Sequence, residues 1–237
     1  MIYLYAVLMI SSVIVVHELG HLIAARLVSI PVKTFSIGFG PRLIGVTLGG
    51  IDYRLSWIPL GGYIEPVMAT EEELYAIPLF RRVIFALGGV AANIVFAVLM
   101  LCAYRMLSQD IPLASAFFLA GKNTISFLLL LFASLPSLMT NSGELAGIIG
   151  MVRQGGSFID GNALQIFNFA GLLSLNLAVF NLLPLPVLDG GKVIFYAMER
   201  IVPGLRKTSV GLSIAGWIVI LGLTILATSN DIAGLIA

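Results

Sequence analysis

Residues 8–25 read LMISSVIVVHELGHLIAA, an apolar stretch that carries the only two histidines of the chain, His17 and His21, with Glu18 between them. On a helix, residues four positions apart project from one face, so both imidazoles can bind the same cation. Glu18 can then act as general base toward a water molecule at that cation. The alternative is that helix neighbours satisfy both histidines. Ionisable groups inside an apolar helix are costly and typical of functional sites, which favours a metal centre on a membrane helix.

The composition of the chain is that of a polytopic membrane protein. Hydrophobic residues make up 59% of the 237 residues and charged residues only 11%. The mean hydropathy is +1.05, which is too high for an ordinary soluble domain. The net charge of +1 predicts no nucleic-acid partner. Cys102 is the only cysteine, so no internal disulfide can form.

Apolar segments of about 20 residues are long enough to cross a bilayer. They predict an α-helical membrane protein with about four transmembrane helices, built as one domain of residues 1–237. These predicted helices cover about residues 2–28, 83–107, 163–183 and 210–227. A further apolar segment, about 113–138, is interrupted by polar residues and a proline. We predict that it lies at the membrane interface or forms an extra membrane segment, and both alternatives stay open.

The segment after the first predicted helix has the pattern of a small β-sheet. Glycines alternate with short β-branched and aromatic runs across residues 32–65, which is typical of strands and turns. Open sheet edges cannot face lipid, so we expect a membrane-associated sheet at the surface or packed within protein. The glycine-rich stretch at 141–161 predicts a loop.

Basic residues predict the orientation of the helices, because cytoplasmic loops are rich in lysine and arginine. Ten basic residues fall on one side: Arg26, Lys33, Arg42, Arg54, Arg81, Arg82, Lys192, Arg200, Arg206 and Lys207. Three fall on the other side: Arg105, Lys122 and Arg153. Both termini are therefore predicted outside. Residues 32–65 and the turn at Asp189 are predicted on the cytoplasmic side, together with the metal centre.

A catalytic zinc ion commonly takes three protein ligands and keeps one position for water, so a third ligand must join His17 and His21. Asp189 is the best candidate, because it follows two prolines and precedes two glycines that allow a tight turn. The alternative for Asp189 is the N-cap of a helix that begins near Lys192. With Asp189 as ligand, the set predicts metal-assisted peptide hydrolysis with Glu18 as general base.

Two asparagines are predicted near the same membrane depth as His17. Asn93 and Asn181 lie at the cytoplasmic ends of predicted helices. Each could orient a substrate backbone or bind a developing oxyanion. A helix–helix hydrogen bond is an equally good interpretation of each amide from residue type alone.

Four motifs in this order resemble the bacterial site-2 protease family. They are His17-Glu-Leu-Gly-His21, Phe35-Ser-Ile-Gly-Phe-Gly40, Pro59-Leu-Gly-Gly-Tyr63 and Asn181-Leu-Leu-Pro-Leu-Pro-Val-Leu-Asp189-Gly190. The resemblance covers most of the chain and identifies it as a short member of this family of intramembrane zinc metalloproteases. Residues 108–161 are too short and too apolar for the PDZ domain that related members insert. A PDZ-mediated partner is therefore not expected.

The resemblance implies a zinc-dependent endopeptidase of the bacterial inner (cytoplasmic) membrane, with one Zn2+ per chain. It implies Asp189 as the third zinc ligand and makes Asn93 and Asn181 stronger candidates for substrate contacts. It also implies that the sheet, including Gly61 and Gly62, binds the substrate as an extended strand. The expected substrates are single-span membrane proteins such as anti-sigma factors or signal-peptide remnants.

Two non-proteolytic functions are the alternatives. One is a membrane protein with a structural or transport metal site, and the other is a scaffold that binds substrates without cutting them. A transporter typically shows paired inverted repeats, which this sequence lacks. Glu18 has no role in a closed structural site, and the presence of all the expected catalytic groups argues against a scaffold.

Overall fold

The computed structural model describes residues 2–67, 71–140, 147–159 and 162–236. Within these ranges the chain is mostly helical, with two long β-strands after the first helix. The elements in chain order are α1 (Ile2–Leu27), β1 (Val32–Leu48), β2 (Ile51–Pro66), α2 (Glu71–Ala76), α3 (Leu79–Gln109), α4 (Leu113–Thr140), α5 (Ile148–Ile159), α6 (Gln165–Asn181), α7 (Asp189–Ile201), a short 3-10 helix (Pro203–Thr208) and α8 (Ser209–Ile236).

Four candidate membrane spans occur among the described residues, by length and composition. They are Tyr3–Leu27, Leu79–Gln109, Leu113–Ser134 and Pro203–Gly234. The prediction of an α-helical membrane protein with about four such helices and a small sheet after the first is confirmed. The segment Leu113–Ser134 is among them by length and composition, and whether it crosses the membrane or lies at the interface stays a prediction. Helix α6 has 17 residues, fewer than the roughly 20 that a full crossing takes.

Contacts divide the chain into two compact units, one of which comprises residues 11–93 and 180–209. In this unit the antiparallel strands β1 and β2 fold back on themselves. Residues 34–37 of β1 pair with residues 62–65 and also with residues 52–55, so they lie inside the sheet. The buried core beside them contains Leu22, Ala25, Val28, Ile30, Val32, Phe35 and Ile51.

The half of the sheet next to the turn between β1 and β2 exposes large apolar side chains. Ile44 and Trp57 are 67% and 65% exposed, and Leu43, Val46 and Leu48 are exposed as well. An exposed apolar patch of this kind marks a contact surface for protein or lipid. It agrees with the expected membrane association of the sheet.

The other unit comprises residues 1–10, 94–179 and 210–237. Its buried core contains Ala97, Leu101, Cys102, Ala116, Ala120 and Leu175, from helices α3, α4 and α6. The first turn of α5 is held by Asp231, whose carboxylate accepts hydrogen bonds from the backbone N–H groups of Gly147 and Gly150. Gly155 of α5 approaches Phe169 so closely that a Cβ would lie 2.5 Å from the ring.

The predicted loop at 141–161 is wrong for residues 148–159, which form α5. Residues 141–146 and 160–161 lie outside the described residues. Glycine content indicated a loop, but glycine is tolerated in a helix where a neighbour needs close approach. The contact between Gly155 and Phe169 is such an approach.

Helices α1 and α3 approach each other through small residues. A Cβ at Gly20 would lie 2.5 Å from the Cβ of Ala92, and a Cβ at Gly88 would lie 2.5 Å from the Cβ of Ala24. Cβ atoms essentially never come this close. Small residues allow such backbone approach between membrane helices, so this crossing needs glycine at both positions.

A buried ion-pair network joins the start of α3 to the end of α7. Arg82 donates from Nη2 to Glu199 Oε2 at 3.0 Å, and Arg206 binds the other carboxylate oxygen. Glu199 is 1% exposed and Arg82 is 3% exposed. Burial works to raise the pKa of Glu199, and the hydrogen bonds from Arg206 and Arg82 hold that pKa below its usual value.

We expect Gly20→Ala and Gly88→Ala to destabilise the fold by about 1–3 kcal/mol, the usual cost of overpacking. The measurement is the midpoint of thermal unfolding in detergent. Gly222→Ala on α8 is the matched control, since its Cβ would meet nothing within 4 Å and alanine favours a helix more than glycine. An equal loss of stability in all three variants would contradict the tight crossing.

We expect Glu199→Gln to cost about 3–5 kcal/mol at neutral pH, because it leaves buried Arg82 without its carboxylate. The folded-state pKa of Glu199 is depressed, so its contribution is complete above the unfolded value of about 4.3. The contribution is lost as the pH falls through the folded-state pKa. Unfolding measured against pH should show the wild type and the variant converging in acid.

The control for this network is Glu65→Gln, which removes the exposed ion pair between Glu65 and Lys33. The side chain of Glu65 is 40% exposed and that of Lys33 is 63% exposed. Exposed pairs contribute less than about 1 kcal/mol. A loss in Glu65→Gln as large as that in Glu199→Gln would contradict the importance of burial.

Candidate metal centre

Three potential metal ligands meet in one buried cluster formed by α1 and the first residue of α7. His17 and His21 each place Nε2 beside Asp189 Oδ2, at 3.2 Å and 3.1 Å. The two Nε2 atoms are 3.2 Å apart. The three ligand atoms therefore form a nearly equilateral triangle. All three residues are at least nine-tenths buried.

The triangle has the size that a tetrahedral zinc site needs. Zinc bonds to nitrogen and oxygen are about 2.0–2.1 Å long, and tetrahedral geometry then separates two ligands by about 3.3 Å. The atom Asp189 Oδ2 is buried and has no hydrogen-bond partner among the described residues, which is typical of a ligand atom. Two imidazoles and a carboxylate are also ligands that zinc takes at catalytic sites.

Helix α3 orients both imidazole rings from behind. His21 Nδ1 donates to the backbone carbonyl of Phe85 at 2.8 Å, which leaves Nε2 free to bind a metal. The side-chain amide of Asn93, fully buried, lies 3.1 Å from His17 Nδ1. The atom at His17 Nδ1 is Nδ2 of the amide. Turning the amide over would place Oδ1 there as acceptor for an Nδ1–H group, and Nε2 would then be free for a metal.

Asp189 is fixed by its position at the start of α7. Lys192, one turn later, donates to Asp189 Oδ1 at 3.1 Å, so that Oδ2 alone faces the histidines. Leu188 occupies the N-cap position and Asp189 is the first helical residue, so the N-cap interpretation of Asp189 is wrong. A Cβ at Gly190 would collide with the backbone of Leu182, so this glycine lets α7 begin tightly against the proline turn.

The ionisation of Asp189 suits a cationic ligand. Burial works to raise the pKa of Asp189, while the contacts with His17 and His21 and the charge of Lys192 lower it by more. The pKa of this carboxyl is therefore well below its usual range, and Asp189 is an anion at neutral pH.

Glu18 lies between the two histidines in sequence and beside the sheet in space. It is half-buried, and a Cβ added to Gly62 of β2 would lie 2.7 Å from Glu18 Cγ. Gly62 thus allows the sheet to approach the candidate base. Gly61 has a φ of +93°, and its α-carbon faces the ring of Phe39 rather than the metal ligands.

The structure gives the two asparagines different positions. Asn93 makes the helix–helix contact with His17 that was its alternative interpretation. Asn181 is the last residue of α6 and is half-buried. Substrate contact by Asn93, Asn181, Gly61 and Gly62 stays a prediction.

Three residues at the centre were not predicted from sequence. Gly89 of α3 lies against both rings, since its Cβ would be 2.6 Å from His21 Nε2 and 2.7 Å from His17 Nε2. Lys192 had a signal, the i,i+3 spacing from Asp189 on a helix. The carbonyl of Phe85 had none, because backbone groups are the same at every residue.

Comparisons with known proteins agree with this centre. The family model described as "Peptidase family M50" matches residues 5–223. A protein of Synechocystis sp. named "Putative zinc metalloprotease" is 25% identical, with 96% of this chain and 93% of that protein covered. Relatives of the same name from Clostridium perfringens and Campylobacter jejuni are 24% and 25% identical, with 97% and 99% of this chain and 98% and 94% of the relatives covered.

These relatives are longer than this chain. The three alignments run over 342, 329 and 348 positions, against 237 residues here. Each alignment therefore contains stretches of the relative that have no counterpart in this chain.

We expect Gly89→Ala to lower zinc affinity at least tenfold, because the added methyl group would occupy the space beside both Nε2 atoms. The measurement is zinc content after dialysis against a graded chelator. The control is Gly121→Ala on α4, whose Cβ would meet nothing within 4 Å. Retention of zinc by Gly89→Ala at the wild-type level would show that the rings tolerate the methyl group.

Proposed function

The chain belongs to peptidase family M50 and is a zinc-dependent metalloprotease of the membrane, and on this premise we propose that it cleaves peptide bonds within or near the transmembrane segments of single-span membrane proteins. His17, His21 and Asp189 hold the zinc ion, and Glu18 is the catalytic base. The observation that carries this proposal is the buried ligand triangle formed by two histidines of α1 and Asp189 of α7. Helix α1 is the element that bears on the membrane. That helix is apolar and long enough to cross the membrane.

The residues around the triangle have distinct roles in hydrolysis. Zn2+, when bound, supplies a Lewis acid that polarises a peptide carbonyl and makes a water molecule acidic near neutral pH. Glu18 would take the proton from the attacking water molecule and deliver it to the leaving amine. Asn93 and the carbonyl of Phe85 keep the two imidazoles in the orientation that ligation needs, and Lys192 restricts Asp189 to one ligand oxygen.

The edge of the sheet is the proposed substrate-binding element. Residues 62–65 pair with β1 on one side only, among the described residues. Gly62, on this edge, lies beside Glu18. A substrate segment that adds to this edge as an extended strand would bring its backbone close to the base. A helical segment shields its peptide bonds with internal hydrogen bonds, so unwinding must precede cleavage.

The proposed topology places the active site toward the cytoplasmic side and both termini outside. The excess of basic residues near α3, α7 and the 3-10 helix supports this orientation. The start of α6 lies beside the end of α3, because Gln165 donates to the hydroxyl of Tyr104 at 3.3 Å. Tyr104 and Gln165 therefore lie at the same depth relative to the membrane.

The first experiment compares cleavage of a single-span substrate protein in detergent by the wild type and by Glu18→Gln. We expect Glu18→Gln to lose at least 100-fold in rate, the usual scale for a general base, while it keeps its zinc. Asp189→Ala should lose both the zinc and the activity. The matched control is Glu73→Gln on α2, an exposed glutamate, which should retain full activity.

The outcomes separate the parts of the proposal. Cleavage by Glu18→Gln at the wild-type rate would show that Glu18 is not the base. Cleavage of a soluble peptide in preference to the same sequence inside a transmembrane segment would overturn the proposed substrate class and leave the zinc protease intact. Zinc binding without cleavage of any substrate would favour a structural or transport site, or a scaffold.

A further inference from the structure

A polar cavity of about 190 Å3 lies against the start of α3 and the end of α7. Its lining includes Tyr75, Arg82, Glu199, Arg200, Pro203 and Arg206. None of the metal ligands lines it. The proposed protease function makes no use of this cavity.

The charges that line the cavity do not balance. Among the side chains that the structure describes, three guanidinium groups, those of Arg82, Arg200 and Arg206, face one carboxylate, that of Glu199. Both oxygens of Glu199 are already engaged, by Arg82 and by Arg206. Glu73 on the neighbouring α2 is exposed and does not line the cavity. The cavity therefore carries an excess of positive charge.

Arg82 is held rigidly and still has unused donors. Its Nε donates to the carbonyl of Ile77 at 3.2 Å and its Nη2 to Glu199 at 3.0 Å. The guanidinium also stacks over Tyr196 and Tyr75, at 4.8 Å and 5.4 Å from the ring centroids. The side chain of Arg82 is only 4% exposed. Its Nη1 group is buried and has no hydrogen-bond partner among the described residues. A buried donor without a partner points to a ligand.

The cavity lies where two candidate membrane spans begin. Leu79 and Pro203 both line it, and they are the first residues of the spans Leu79–Gln109 and Pro203–Gly234. The ends of membrane spans lie at the depth of lipid headgroups. Basic pockets between such helices on the cytoplasmic side are typical binding sites for acidic lipid headgroups.

We propose that this cavity binds the phosphate group of an anionic ligand, with Arg82 as its buried donor and Arg200 and Arg206 as its exposed donors. Guanidinium groups bind phosphate through paired, charge-assisted hydrogen bonds. The phosphate group belongs to a membrane lipid or to a free anion. Binding of a lipid requires its acyl chains as well as its phosphate group, whereas binding of a free anion does not. The site is independent of the zinc ion.

The test measures lipid binding by the purified full chain in an uncharged detergent, using native mass spectrometry. Phosphatidylglycerol is compared with phosphatidylcholine of the same acyl chains, and inorganic phosphate is used as a competitor. We expect the wild type to bind phosphatidylglycerol at least tenfold more tightly than phosphatidylcholine. The double variant Arg200→Gln/Arg206→Gln should lose this preference.

The matched control is Arg81→Gln/Lys207→Gln, which removes the same charge from neighbouring positions that do not line the cavity. We expect its preference to stay within twofold of the wild type. Because Arg206 also binds Glu199, Arg200→Gln alone is measured as well. Arg200 is exposed and has no ion pair among the described residues, so the fold should not depend on it. The expected loss in that single variant is at least threefold.

Each outcome decides between the alternatives. Displacement of phosphatidylglycerol by millimolar inorganic phosphate would support the site with a free anion as ligand, and resistance to displacement would support a lipid. The proposal is overturned if the wild type does not distinguish the two lipids. It is also overturned if the cavity variants and the control variant lose the preference equally.

Discussion

The close approach of α1 and α3 fixes the two imidazole rings and therefore the size of the ligand triangle. Gly20 and Gly88 allow the backbones to meet, and Gly89 leaves room beside the rings. Helix α3 supplies no ligand, yet it holds the second nitrogen of each histidine through Phe85 and Asn93. A shift between these helices would turn the imidazole rings and so change the distances within the triangle.

The parts of the molecule that follow from local pattern could be predicted from sequence. Helical periodicity alone puts His17 and His21 on one face with Glu18 beside them, and mean hydropathy indicates the membrane. The sheet could be predicted from its glycine punctuation, because its strands are adjacent in sequence. Asp189 stands out among the acidic residues because two prolines and two glycines mark a tight turn around it, and the structure places it beside both histidines.

What could not be predicted depends on contacts between residues distant in sequence. Arg82 and Glu199 are 117 residues apart, and no local pattern indicates their pairing. The glycines of α5 indicate a loop, and the contacts that hold this segment as a helix come from Phe169 and from Asp231, which is more than 80 residues away. The contribution of Phe85 is a backbone carbonyl, which leaves no trace in the sequence. Burial turns such unremarkable groups into determinants of the site.

The order of the proposed metal ligands along the chain has a consequence for biosynthesis. His17 and His21 emerge from the ribosome with the first helix, but Asp189 follows His21 by 168 residues. At elongation rates of about 5–20 residues per second, the half-made centre waits on the order of ten to thirty seconds for its third ligand. During that interval the nascent protein has two imidazoles and a base but no closed ligand set. With this proposed ligand set, the enzyme cannot cut other newly inserted chains before its own residue 189 has been made.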